Sequence, residues 1–170
     1  HRKKGILPLV QAWFETGLSD DINVELIIAG PDDGELELLT PYIQQSLNVD
    51  YVGPVYNEAK SELLEKSHIF LLPSFSEGFP TSVLEAMDFG LLPIMSKGCN
   101  FPELFELNYA LHAEPNVESL SKTLLEVKSM KTEVIIAKGL KSQQFVRENY
   151  SVASVSKDLF ERLRQTLSVK

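Results

Sequence analysis

A single cysteine, Cys99, stands in the 170 residues, so no intrachain disulfide can form. This thiol economy fits a reducing compartment. Histidine is scarce too, and His1, His68 and His112 lie far apart without the spacing of metal ligands. No apolar run approaches the roughly 18 residues of a membrane span. Positive charge is in deficit: the formal net charge is −8, which argues against a general nucleic-acid binder. No G-x-G-x-x-G follows a predicted strand, which speaks against a dehydrogenase. Repeats and low-complexity stretches are missing as well.

What remains is an ordinary globular composition, 44% hydrophobic and 24% charged, long enough for one domain with a sizeable core. His1-Arg2-Lys3-Lys4 runs straight into an apolar helical pattern, so the sequence reads as one domain, 1–170, excised from a longer protein. Ile6, Leu9, Val10, Trp13 and Phe14 predict a helix over about 5–17, with Pro8 tolerable near its first turn and Trp13 in the core. Residues 24–29 read as a buried strand. Leu36, Leu39, Ile43 and Leu47 return to helical spacing, interrupted by Pro41, with Thr40 placed to cap a second start. Strands are expected at 49–55, 69–72, 91–95 and 109–113, and helices at 58–66, 81–89, 117–129, 132–148 and about 152–168. One helical turn is expected near 102–105. In the last helix Val155, Leu159, Leu163 and Leu167, with Phe160 beside them, form a stripe expected to pack on the core, with part of it exposed if the helix crosses back to another domain.

Strands that are apolar throughout, alternating with helices, signify a doubly wound parallel α/β sheet covered on both faces. Ligands in such folds sit beyond the carboxyl ends of the strands. This singles out the loops Gly30–Gly34, Pro73–Pro80 and Ser96–Pro102. The middle one leaves a strand, turns on Gly78 and Pro80, and enters a helix. Free N–H groups and the helix dipole at such a start attract anions, and Gly78 admits close approach to the backbone. Glu77 in the loop and Glu85 about one turn into the helix border the same place. Ser82-x-x-Glu85 also fits a capping box, in which Glu85 serves only the Ser82 N–H, and Glu77 also fits a solvated loop acid. Cys99, without an evident base, reads as inert.

Glu77 and Glu85, eight apart, resemble the E-x7-E pattern of retaining glycosyltransferases of the GT-B fold, the group 1 family. Pro73-Ser74-x-x-Glu77-Gly78-Phe79-Pro80 and Glu85-Ala86-Met87-x-x-Gly90-x-x-Pro93 carry the likeness. So do Lys3-Lys4-Gly5, Ile28-Ala29-Gly30-Pro31, Val52-Gly53-Pro54-Val55 and Pro102-Glu103. The resemblance implies a Rossmann-like C-terminal half of a GT-B enzyme, with the acceptor domain and first strand lying upstream. It implies that Lys4 binds the donor diphosphate and Glu77 the transferred sugar. Gly78, Phe79, Pro80 and Thr81 would line sugar and diphosphate, and Glu85 would bond the ribose. Gly30 would border the donor, and Gly53 and Val55 the base. The implied substrates are a UDP- or GDP-linked sugar and a glycan or lipid acceptor, with no metal and no separate cofactor. The implied place is the cytoplasm, at the inner face of the membrane if the full-length protein makes peripheral contact. The 170 residues alone are expected not to turn over substrate. The sequence departs from the family at Asp88, where a small or apolar residue is commoner, and at Tyr109-Ala110-Leu111, which lacks the usual glycine before that strand. The family's partner arginine has no position here. A nucleotide-sugar epimerase, a glycoside hydrolase and a nucleotide-binding domain without catalysis are the competing readings.

Overall fold

The computed structural model describes residues 1–168, without the side chains of 167 and 168. The predicted domain end at Lys170 and the side chain of the stripe residue Leu167 therefore lie outside the described part. Among the described residues, five strands, parallel to their neighbours, alternate with helices: β1 (Leu26–Ala29), β2 (Val49–Gly53), β3 (Ile69–Leu72), β4 (Leu92–Met95) and β5 (Leu111–His112). The helices are α1 (Ile6–Glu15), α2 (Leu36–Gln45), α3 (Asn57–Lys66), α4 (Thr81–Asp88), α5 (Glu103–Glu106), α6 (Val117–Ser129), α7 (Thr132–Asn149) and α8 (Val152–Ser168).

The strands are short and apolar because both of their faces are covered. Alternate residues of a strand point to opposite sides. Ile69, Leu71, Ile94 and Leu111 meet one core with Leu9, Val10 and Trp13 of α1 and Leu120 and Leu124 of α6. Phe70, Leu72 and Met95 face the other way, onto Val83 and Met87 of α4 and Phe145 and Val146 of α7. This two-sided cover is the predicted architecture. The sheet is divided, however: β1 pairs with β2, and β3-β4-β5 form a separate ladder. The first core joins them, since Leu26, Ile28 and Val49 belong to it along with Ile94.

Local structure differs from expectation in α2, and its start and the last helix are now fixed. Helix α2 runs unbroken through Pro41, and the Thr40 hydroxyl donates to the Leu36 carbonyl at 2.8 Å instead of capping a new start. Proline there removes only its own bond to the Glu37 carbonyl, and Glu37 is exposed. Leu47 leaves the helical pattern and is 96% exposed, because the chain turns after Gln45 to bury Asn48. The Asn48 amide bonds the carbonyls of Leu18, Asp21 and Val24 and accepts from the Trp13 indole, tying α1 and its following turn to β2. The α2 start is capped by Asp32, whose Oδ1 accepts from the N–H groups of Gly34, Glu35 and Leu36. Finally, the stripe on α8 does not pack on the core: Val155, Leu159, Phe160 and Leu163 are all exposed.

Candidate functional site

Three chain segments converge where β3 and β4 end. The Phe75 N–H donates to the Lys3 carbonyl and the Glu77 N–H to the Gly98 carbonyl, each at 2.7 Å. The Ser96 hydroxyl donates to the Ser74 carbonyl. Two glycines permit this closeness. A Cβ on Gly5, whose φ is +68°, would lie 2.1 Å from the Pro73 carbonyl oxygen. A Cβ on Gly98 would lie 2.5 Å from the carbonyl oxygens of both Ser74 and Phe75. The 73–80 loop is thus clamped between the N-terminal turn and the 96–100 loop.

The clamp brings Lys4 to Glu77, residues 73 positions apart in sequence. The Lys4 ammonium donates to Glu77 Oε1 at 2.6 Å, and the Ser74 hydroxyl donates to the same oxygen at 2.6 Å. Glu77 is largely covered, its side chain 13% exposed against 39% for Lys4. Burial pushes the Glu77 carboxyl up, but the hydrogen bonds from Lys4 and Ser74 and the charges of Lys4 and Lys3 outweigh it. The net effect holds the group below its usual range. Glu77 is therefore a fixed, ionised acceptor and not a freely solvated loop acid.

Gly78 is exposed, with open space on the side a Cβ would occupy. Phe79 is half exposed and rests on Phe101 and Tyr150, ring centroids 5.6 and 6.4 Å away. Buried Pro80 precedes α4, and Thr81 opens it. The Thr81 N–H is already spent on the Phe79 carbonyl at 2.9 Å. Among the described residues, no acceptor meets the N–H groups of Gly78, Phe79 and Ser82. These three donors, on the loop and first turn that follow Glu77, are what a bound anion would find.

Glu85 does not form the capping box. With Pro80 as the capping position, Glu85 is the fifth residue of α4, too deep to reach back, and the helix has no side-chain cap. Its Oε2 accepts instead from the Lys60 ammonium on α3. Gly30 and Gly53 meet at the ends of β1 and β2, where the Gly30 N–H donates to the Gly53 carbonyl at 2.9 Å. Both hold positive φ, +145° and +72°. Val55 follows beyond the strand end, half-buried. Cys99 is buried, its thiol pushed up by desolvation and donating to the Leu72 carbonyl, in keeping with an inert role. Ser74, Gly98 and Lys60 are the site features that sequence reasoning passed over. Ser74 lies inside the quoted motif, whereas Lys60 sits on a polar helix with no distinguishing pattern. No described helix is long and apolar enough to cross a membrane.

This fold is that of the C-terminal half of GT-B glycosyltransferases. The C-terminal domain of a group 1 family glycosyl transferase from Francisella tularensis has a TM-score of 0.75 to it, at 17% identity, covering 89% of this chain and 82% of that one. A glycosyltransferase from Rickettsia africae gives 0.78 at 20% identity, covering 97% of this chain and 45% of that one. An Anabaena protein solved in complex with UDP and glucose gives 0.74 at 17% identity over 97% of this chain and 46% of that one. The model of the family described as glycosyl transferases group 1 matches residues 1–145, and the chain belongs to that family. Among its curated relatives, the O-antigen chain mannosyltransferase B of Escherichia coli is 28% identical over 161 residues, 91% of this chain and 42% of that protein. The amylovoran biosynthesis glycosyltransferase of Erwinia amylovora is 32% identical over 121 residues, 65% of this chain and 30% of that protein. The chain spans less than half the length of these relatives.

Proposed function

We propose that this chain binds the donor of a retaining hexosyltransferase, a UDP- or GDP-linked sugar, and that the whole protein passes the sugar to a glycan or lipid acceptor. The observation that carries the reading is the Lys4–Glu77–Ser74 cluster, followed in the chain by the N–H groups of Gly78, Phe79 and Ser82, which meet no acceptor among the described residues. Breaking the bond between the anomeric carbon and the diphosphate leaves an electron pair on the leaving oxygen. A fixed ammonium and fixed N–H donors stabilise that growing charge more than they stabilise the neutral bond. Lys4 supplies the ammonium. Glu77, already ionised and held, accepts from hydroxyls of the transferred sugar. Gly78, Phe79, Pro80 and Thr81 shape the floor of the donor site, with Ser82 adding a donor that Pro80 lacks and Thr81 has spent. Glu85 faces the ribose diol, which suits a carboxylate acceptor. Gly30, Gly53 and Val55 border the base.

The relatives' names support the class of chemistry, since one is a mannosyltransferase and another a glycosyltransferase of amylovoran biosynthesis. Thermal denaturation with UDP and GDP, alone and as sugar conjugates, tests the reading. A nucleoside diphosphate is expected to raise the melting temperature, and Lys4→Ala and Glu85→Ala each to shrink the rise. No shift with any nucleoside diphosphate at millimolar concentration would overturn it.

A further inference from the structure

Glu85 has one carboxylate oxygen engaged and one open. Oε2 is held by the Lys60 ammonium, while no donor among the described residues reaches Oε1. The two residues come from different helices. Lys60 lies in the first turn of α3, which leaves the Gly53–Val55 segment. Glu85 lies on α4, which leaves the Glu77–Pro80 loop. The pair therefore spans from the helix that follows the two-stranded ladder to the helix that connects β3 and β4 of the three-stranded one. Both side chains are substantially exposed, 38% and 48%, so the pair adds little to the stability of the fold.

We propose that Lys60 is a positioning residue for nucleoside recognition. Resting on the assignment of Glu85 to the ribose, it anchors Oε2 so that Oε1 stays aimed at the vicinal diol. A glutamate on an exposed helix face otherwise samples several rotamers, and ordering it on binding costs affinity. The lysine prepays that ordering without touching the sugar. Its effect accordingly depends on the ribose hydroxyls being present. A purely structural lysine would act equally on every nucleotide.

The test is a binding comparison on this 170-residue chain, with UDP and GDP set against their 2′,3′-dideoxy forms, by calorimetry. Wild type is expected to prefer the ribose form by about tenfold or more, as for a hydrogen bond to a charged group. Lys60→Met is expected to weaken the ribose form by about three- to tenfold and leave the dideoxy form within about twofold. Lys60→Arg is expected to restore most of the loss. The unliganded melting temperature of each variant should stay close to wild type, which separates positioning from misfolding. If wild type discriminates and Lys60→Met discriminates equally, the role of Lys60 is overturned while the ribose assignment stands. If Lys60→Met binds both forms more tightly, the pair is a latch over the site and the proposal is wrong. If wild type shows no preference for ribose, the assignment of Glu85 fails and this inference falls with it.

Discussion

Glu77 shows how a loop acid becomes a fixed part of the candidate site. Its carboxylate is mostly covered, receives two charge-assisted or polar hydrogen bonds on one oxygen, and titrates below its usual 4.5. A carboxyl whose folded value is depressed stabilises the fold above its unfolded value and loses that contribution as pH falls through the folded one. Glu77→Gln is expected to cost about 1.5–3 kcal/mol of stability near neutral pH, the scale of a hydrogen bond to a charged group. The gap between wild type and variant should close as pH drops below 4.5. Urea denaturation of both proteins from neutral pH down to the onset of acid unfolding measures it. A gap that widens on acidification would contradict the assigned direction. Lys4 is the complementary case. Its ammonium is proposed to meet the leaving diphosphate, so Lys4→Ala in the full-length enzyme should cost roughly 3–4 kcal/mol in the transition state, a loss of about two to three decades in kcat. Steady-state kinetics with the cognate donor reads this directly. These residue-scale features were unequally legible. Glu77, Gly78 and Glu85 stood out through a motif, but the partner of Glu85 did not. An exposed lysine on a polar helix looks like any other until a fold brings it to a carboxylate 25 positions away.

At the scale of elements, periodicity gave the helices and strands in order, because burial on both faces of a parallel sheet forces uninterrupted apolar strands. Boundaries were less legible because they depend on side-chain to backbone bonds. Asp32 sets the start of α2 and Asn48 the entry to β2, and neither bond has a periodic signature. Asn48→Ala should therefore destabilise by about 2–3 kcal/mol, since buried carbonyls and the Trp13 indole lose their partners. Chemical denaturation would check it. Glycine contacts behave similarly. A Cβ on Gly139 of α7 would lie 1.9 Å from the Gly90 carbonyl oxygen, so α7 crosses the end of α4 at backbone distance. Gly5→Ala couples packing to chemistry: it meets the Pro73 carbonyl and places an L side chain at φ +68°. The φ alone costs about 1–2 kcal/mol. Relief of the clash moves Lys4 or the 73–80 loop, so Gly5→Ala is expected to weaken nucleotide binding as well as lower the melting temperature.

For the whole molecule, hydrophobic patterning announced a covered parallel α/β fold, but the division of the sheet was not readable, and the stripe on α8 left core packing and exposure both open. A stripe at helical spacing says that one face is apolar and is silent on what that face meets. The proposed site has a consequence at this scale. Its residues come from the N-terminal turn (Lys4), the loops after β1, β2 and β3 (Gly30, Gly53, Glu77) and α4 (Glu85), with Lys60 on α3 behind Glu85. A ligand held by all of them stabilises the native chain alone, because the unfolded chain cannot assemble them. At about 100 times its Kd such a ligand adds about 2.7 kcal/mol. For a chain of this size that corresponds to a rise in melting temperature of about 5–10 °C. Each of Lys4→Ala and Glu85→Ala weakens binding, so at the same nucleotide concentration each should forfeit several degrees. The rise should also grow with the logarithm of concentration above Kd. A rise that both variants retain in full would place the nucleotide elsewhere on the molecule.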